Sequence, residues 1–84
     1  MRDNFNKLTI EVYKNNKLEN TLVNTDKEQV QKELISDLLS TYFNKKHNIS
    51  EANYYNIIKV QYTENINNNK YKTIRRYEYI EEGA

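Results

Sequence analysis

Apolar residues recur along this chain with two different periods, and those periods divide it into elements. Leu8, Ile10 and Val12 alternate with Thr9, Glu11 and Tyr13, the period of two expected of a half-buried strand. Asn15-Asn16 marks a turn, and Leu18 and Leu22 lie in a second strand from about Lys17 to Val23. From Thr25 to about Lys46 the period lengthens. Val30, Leu34, Ile35, Leu38, Leu39, Tyr42 and Phe43 recur at three-to-four spacing, which predicts one amphipathic helix with these residues on its buried face. Gln31, Lys32, Asp37 and Thr41 fall on the other side. Thr25 and Glu28 have the spacing of a capping box, and Lys45 and Lys46 suit the negative end of the helix dipole. A polar connection follows from His47 to Asn53, where Ser50 and Glu51 suit a single extra turn. A third strand is predicted from about Tyr55 to Glu64, an asparagine-rich turn from Asn65 to Asn69, and a fourth strand from about Lys70 to Ile80.

Parity then suggests how the strands pair, because opposed residues in a sheet share a face. A three-residue loop, Lys14 to Asn16 with Asn16 left-handed, pairs Val12 with Leu18 and Leu8 with Leu22. It puts every aliphatic of the first hairpin except Val23 on one face. A two-residue turn at Asn68-Asn69 pairs Val60 with Tyr77, Ile58 with Tyr79 and Tyr62 with Arg75, and sets Lys59 opposite Glu78. Tyr71, Tyr77 and Tyr79 then join Ile58 and Val60 on the helix side, with Ile57, Gln61, Ile74, Arg76 and Ile80 on the outer side. The expected fold is α+β in the order ββαββ: a four-stranded antiparallel sheet with one helix packed on one face. Residues 1–84 read as a single domain, with 1–6 and 81–84 frayed.

Composition sharpens this picture in four places. There are no cysteines, so disulfides and thiolate metal sites are excluded, and a reducing cytoplasm is expected. No apolar run approaches a membrane span or the core of a signal peptide. The charges nearly cancel, 13 basic against 12 acidic, which argues against a global DNA mimic and against a wholly cationic coat protein. Fourteen asparagines and eight tyrosines, with one glycine and no proline, match A/T-rich codon usage. With glycine so scarce, asparagine must fill the left-handed turn positions.

Candidate chemistry is sparse. His47 is the only histidine and stands beside no cysteine or carboxylate at ligand spacing, so no metal or cofactor is expected. It has no serine or threonine partner in pattern, and the single glycine, Gly83, makes no phosphate loop. The expectation is therefore of a protein that is not an enzyme. What remains is a binding segment from Lys59 to Tyr79. Its candidate contact residues are Lys59, Lys70, Tyr71, Lys72, Arg75, Arg76 and Tyr77. Basic residues interleaved with aromatics hold phosphates and stack bases, and Tyr and Arg also supply protein hot spots. Ile57, Ile74 and Ile80 on the same uncovered face suggest that a partner or a second copy covers it.

In size, cysteine-free make-up and strand-strand-helix-strand-strand order, the chain resembles the small accessory proteins of phages and mobile elements of A/T-rich hosts. Among these it is similar to anti-CRISPR and other anti-defence inhibitors. The resemblance implies a stoichiometric inhibitor in the host cytoplasm that occludes a host effector nuclease. It would act through the outer sheet face and the edge of the fourth strand. Two other expectations stand beside it: a small nucleic-acid-binding regulator using the same hairpin, and a homodimer formed over the same face.

Overall fold

A computed structural model describes residues 5–44, 48–51 and 57–81. The order of elements is β1 (Lys7–Lys14), β2 (Lys17–Asn24), α1 (Lys27–Asn44), β3 (Asn48–Glu51), β4 (Ile57–Ile66) and β5 (Asn69–Glu78). The described residues form an α+β fold: four long antiparallel strands in one sheet and one helix, in the ββαββ order that the sequence predicts. A short fifth strand, β3, lengthens one edge by pairing with β4 in a segment expected to be a polar connection. The sheet order is β2-β1-β5-β4-β3, so the two hairpins meet along a β1–β5 seam. That seam buries both flanks of β5, and the fourth long strand has no exposed edge, contrary to expectation. Among the described residues the edges are β2 on one side and, on the other, β3 together with the stretch of β4 beyond Gln61.

Asparagine side chains extend this seam at both ends. At the hairpin tips, Asn15 N–H donates to the Lys70 carbonyl at 2.7 Å and Lys70 N–H donates to Asn15 Oδ1 at 2.9 Å. At the other end, Asn6 Nδ2 donates to the Ile80 carbonyl at 2.7 Å and receives Ile80 N–H on its Oδ1 at 2.8 Å. The Asn6 side-chain amide donates and accepts as a peptide unit does, and Asn15 combines its backbone N–H with its side-chain oxygen, so each adds a step to the ladder. Asn6 and Phe5 lie in the segment expected to fray, yet Phe5 is fully buried in the core.

Both hairpin turns use two asparagines at positive φ, Asn15 and Asn16 at 50° and 69° and Asn67 and Asn68 at 50° and 67°. This is the signature of the two-residue turn whose twist matches that of a sheet, and asparagine adopts it more readily than other residues with a Cβ. The first turn is therefore two residues long, not three. Parity is restored instead by a β-bulge. Val12 faces Asn20 while Tyr13 faces Leu18, which leaves Glu19 as the extra residue. Ile10 consequently pairs with Leu22, and Leu18 moves to the opposite face with Tyr13. In the second hairpin the turn falls one residue earlier than expected, and the register slides by two. Ile58 faces Tyr77, Val60 faces Arg75, and Lys59 faces Arg76 in place of Glu78. A slide of two keeps every side chain on its predicted face.

The core lies between the sheet and α1. Leu8, Tyr77 and Ile58 form one row across three strands, and Ile10, Arg75 and Val60 form the next. Val30 and Leu34 of the helix complete the cluster with Phe5. The helix starts at Asp26 rather than Thr25. Its carboxylate accepts from Glu28 N–H at 3.1 Å and Gln29 N–H at 3.2 Å, which satisfies two of the otherwise unpaired amides of the first turn. Its phase also differs from the predicted stripe. Val30, Leu34 and Asp37 are buried, whereas Ile35, Leu38 and Leu39 are exposed. The side chains of Tyr42 and Phe43, and His47 with its neighbouring lysines, lie outside the described residues. Among the described residues, no helix is long and apolar enough to cross a membrane.

Candidate binding face

The helix covers one face of the sheet, and the two faces have opposite chemistry. Under the helix one guanidinium, Arg75, is held by two carboxylates of α1. Asp37, only 3% exposed, accepts from the Tyr77 hydroxyl and from Arg75 Nη1 at 3.0 Å. Arg75 Nη2 reaches Glu33 Oε2 at 3.0 Å. Asp37 and Glu33 are one helical turn apart, so both present their carboxylates to the same guanidinium. Burial opposes the charged guanidinium, yet the negative charges around it, Asp37 foremost, outweigh that effect and hold the Arg75 pKa above its ordinary value. Burial, then the hydrogen bond to Asp37 and its charge, pushes the Tyr77 hydroxyl well above the usual phenol range. Arg75 Nε is buried with no hydrogen-bond partner among the described residues.

This network divides the seven candidate contact residues. Tyr77 is fully buried and belongs to the core, so its ring faces the helix and not a partner. Arg75, paired by the expected register with Tyr62, faces Ile10 and Val60 and is held by the two carboxylates of α1. Tyr71 also lies on the helix side, with the Lys14 ammonium 5.9 Å from its ring centroid. The remaining four, Lys59, Lys70, Lys72 and Arg76, fall by register on the face that the helix leaves bare.

The β1–β5 pairing adds residues that the hairpin alone did not indicate. Thr9 faces Arg76, Glu11 faces Ile74, and Tyr13 faces Lys72, with Lys7 opposite Glu78. The open face therefore carries five cations, from Lys7, Lys59, Lys70, Lys72 and Arg76, against the acids Glu11 and Glu78. Alternation within β1 already set Lys7, Glu11 and Tyr13 opposite the apolar residues. That β1 runs beside β5 was not legible in that pattern. Among the described residues only one ion pair involves these five cations: Arg76 Nη1 lies 3.6 Å from Glu11 Oε1. Lys59 and Arg76 are directly opposed on adjacent strands, an arrangement in which like charges repel. Ile74, flanked by Glu11 and Gln61, is buried within this face, while Ile80 beyond β5 is exposed.

Other surface features are apolar. On the β2 edge Leu18, Leu22 and Val23 are exposed, and on α1 so are Ile35, Leu38 and Leu39. An open cleft of about 420 Å³ at the end of the seam is lined by Asn6, Lys7, Val23, Thr25 and Ile80. Among the described residues, no group of three or more His, Cys, Asp or Glu side chains is placed to hold a metal ion. Comparison with protein-family models, with curated proteins and with solved structures finds no match for this chain.

Proposed function

We propose that this protein is a non-enzymatic, stoichiometric inhibitor of the anti-CRISPR kind, made by a phage or mobile element and acting in the host cytoplasm. It docks on a host effector nuclease through the open face of its sheet and blocks that effector by occupying it. The observation that carries the reading is the asymmetry of the sheet. Its covered face ties its part-buried guanidinium, Arg75, to two carboxylates, whereas the face that the helix leaves uncovered collects five cations and two acids and, among the described residues, pairs one of those cations, at 3.6 Å. A patch with a net positive excess on a nearly neutral protein steers a negatively charged partner and fixes its orientation. The exposure of the patch at the middle of the sheet suits a broad, flat contact.

The experiment is capture from a host lysate by the tagged chain, with and without nuclease treatment, followed by titration of the captured effector. Arg76→Glu is the probe, because Arg76 is partly exposed and outside the helix–sheet network. It is expected to melt within about half a kcal/mol of the parent and to bind at least tenfold more weakly, which is about 1.4 kcal/mol. Unchanged affinity for the captured effector would remove the open face from the interface.

A further inference from the structure

We infer that the open face takes a single strand of nucleic acid, laid along β5 with its phosphates on Lys70, Lys72, Arg76 and Lys59. This rests on the reading of the open face as the binding surface, and it names the component of a nucleoprotein effector that the surface would seize.

The opposed pair is the first support. Lys59 and Arg76 face each other across β4 and β5, and among the described residues only Arg76 has a counter-charge, Glu11, at 3.6 Å. Two cations in that position destabilise a sheet by themselves. A phosphate seated between them converts the repulsion into two charge-assisted hydrogen bonds. Linearity is the second. Lys70, Lys72 and Arg76 occupy same-face positions of one central strand, a track of roughly 20 Å at about 3.4 Å per residue. A line of positive charge complements a chain with one charge per monomer better than it complements a compact acidic patch on a folded protein.

Residue type is the third. Four of the five cations are lysines. Protein interfaces are depleted in lysine and enriched in arginine, whereas the ammonium group binds phosphate as a point charge with no demand on orientation. Tyr13, directly across from Lys72, offers an aromatic ring for stacking beside the track. No element rises from this face among the described residues to enter a duplex groove, so an unpaired strand, with its bases splayed, is the form that fits.

Fluorescence anisotropy with a labelled oligothymidylate of about twelve nucleotides, within the site sizes of single-strand-binding folds, tests this directly. Four neutralised phosphates give a slope of log affinity against log salt near −3, or about fifty-fold weaker binding at 200 mM than at 50 mM salt. Lys72→Glu is expected to weaken binding at least tenfold and to flatten the slope. Lys59→Ala is the milder second variant, expected to lower the slope by about 0.7. Lys32→Glu, on the exposed side of α1, is expected to leave both unchanged. A melt of each variant confirms that it folds. No binding of the oligonucleotide by the intact chain, or binding indifferent to Lys72→Glu, overturns the inference. Equal competition by an oligoglutamate of the same charge also overturns it and points to an acidic protein surface. Nuclease-resistant capture of an effector that Arg76→Glu abolishes, with no oligonucleotide binding, leaves the inhibitor reading standing and removes the nucleic acid. Oligonucleotide binding with no effector captured does the reverse.

Discussion

Removing the Asp37 carboxylate is the most informative single perturbation of this fold. Asp37 is 3% exposed and bonds both Tyr77 and Arg75. Asp37→Ala would strand two groups at once. The Tyr77 hydroxyl, buried at 0% exposure of its residue, would lose its acceptor, which alone costs about 1–3 kcal/mol. The Arg75 charge would lose its buried partner, a change that costs about 3–5 kcal/mol where nothing compensates. Here something does. Glu33 remains 3.0 Å away and its side chain is 32% exposed, so the guanidinium keeps one carboxylate and some access to water. These offsets bring the expected loss to about 3 kcal/mol, within the range of the two contributions. A domain of this size has roughly 4–13 kcal/mol in all. The midpoint of thermal unfolding should fall by about 12–24 °C. Urea titration followed by circular dichroism gives the same quantity independently of the heat-capacity correction. The triple variant Asp37→Leu, Arg75→Met, Tyr77→Phe completes the test. It removes the whole network instead of orphaning part of it, and is expected to recover to within about 1 kcal/mol of the parent, because apolar replacement of a buried ion network is commonly neutral or better. A loss below about 1 kcal/mol for Asp37→Ala would mean that this carboxylate reaches water in solution, and that α1 does not rest on the sheet with the face described.

Leu34→Ala should cost about 2–5 kcal/mol and Leu38→Ala less than about 1 kcal/mol, since Leu34 is 6% exposed and Leu38 is 41% exposed; equal losses in denaturant melts would restore the helical phase read from the sequence. Tyr77 also imprints on alkaline stability. Its hydroxyl pKa is raised on folding, so its contribution is complete below the unfolded value near 10 and is lost as pH climbs toward the folded value, by up to about 1.4 kcal/mol per pH unit. The difference in stability between the parent and Tyr77→Phe should therefore be constant from pH 7 to about 9 and shrink above pH 10, and a constant difference across that range would refute the buried neutral phenol.

The strand order along the chain and the face assignment of the strands were legible because period and parity survive errors of register. The second hairpin shows this well. Moving the turn from Asn68-Asn69 to Asn67-Asn68 changes every partner, yet the slide is two residues and Lys59, Lys72 and Arg76 stay on the outer face. The first hairpin reaches the right parity for most of its length by a device that has no sequence signature. A bulge at Glu19 replaces the longer loop, and only Leu18 is displaced. What the sequence did not reveal is which strands lie side by side. The third and fourth strands read as a hairpin in isolation, a reading that leaves the fourth with an open edge. The β1–β5 seam closes that edge and brings Lys7, Glu11 and Tyr13 onto the candidate face. Long-range pairing of this kind depends on the sum of many weak cross-strand contacts, and no single residue announces it.

The phase of the helix was missed for a different reason, and the miss decides which residues are available for binding. A hydrophobic stripe counts aspartate as an outside residue, because burying a lone carboxylate is costly. The stripe therefore rotated toward Ile35, Leu38 and Leu39 and set Asp37 in water. Asp37 is inside because Arg75 and Tyr77 sit beneath it on β5. The sheet supplies the partners, and a charge with such partners is no longer costly to bury in the same way. The correction runs in both directions. Asp37 leaves the helix surface, and Arg75 and Tyr77 leave the binding segment, since the groups that made them attractive as contacts are already spent on the core. Three apolar side chains are left exposed on α1 in exchange. The basic and aromatic content of Lys59–Tyr79 thus divides by parity into two jobs. Odd positions of β5 anchor the helix through Arg75 and Tyr77, and even positions, Lys70, Lys72 and Arg76, present charge on the bare face. A scan that substitutes β5 residues one at a time should show the same alternation, with stability responding at 75 and 77 and binding responding at 70, 72 and 76.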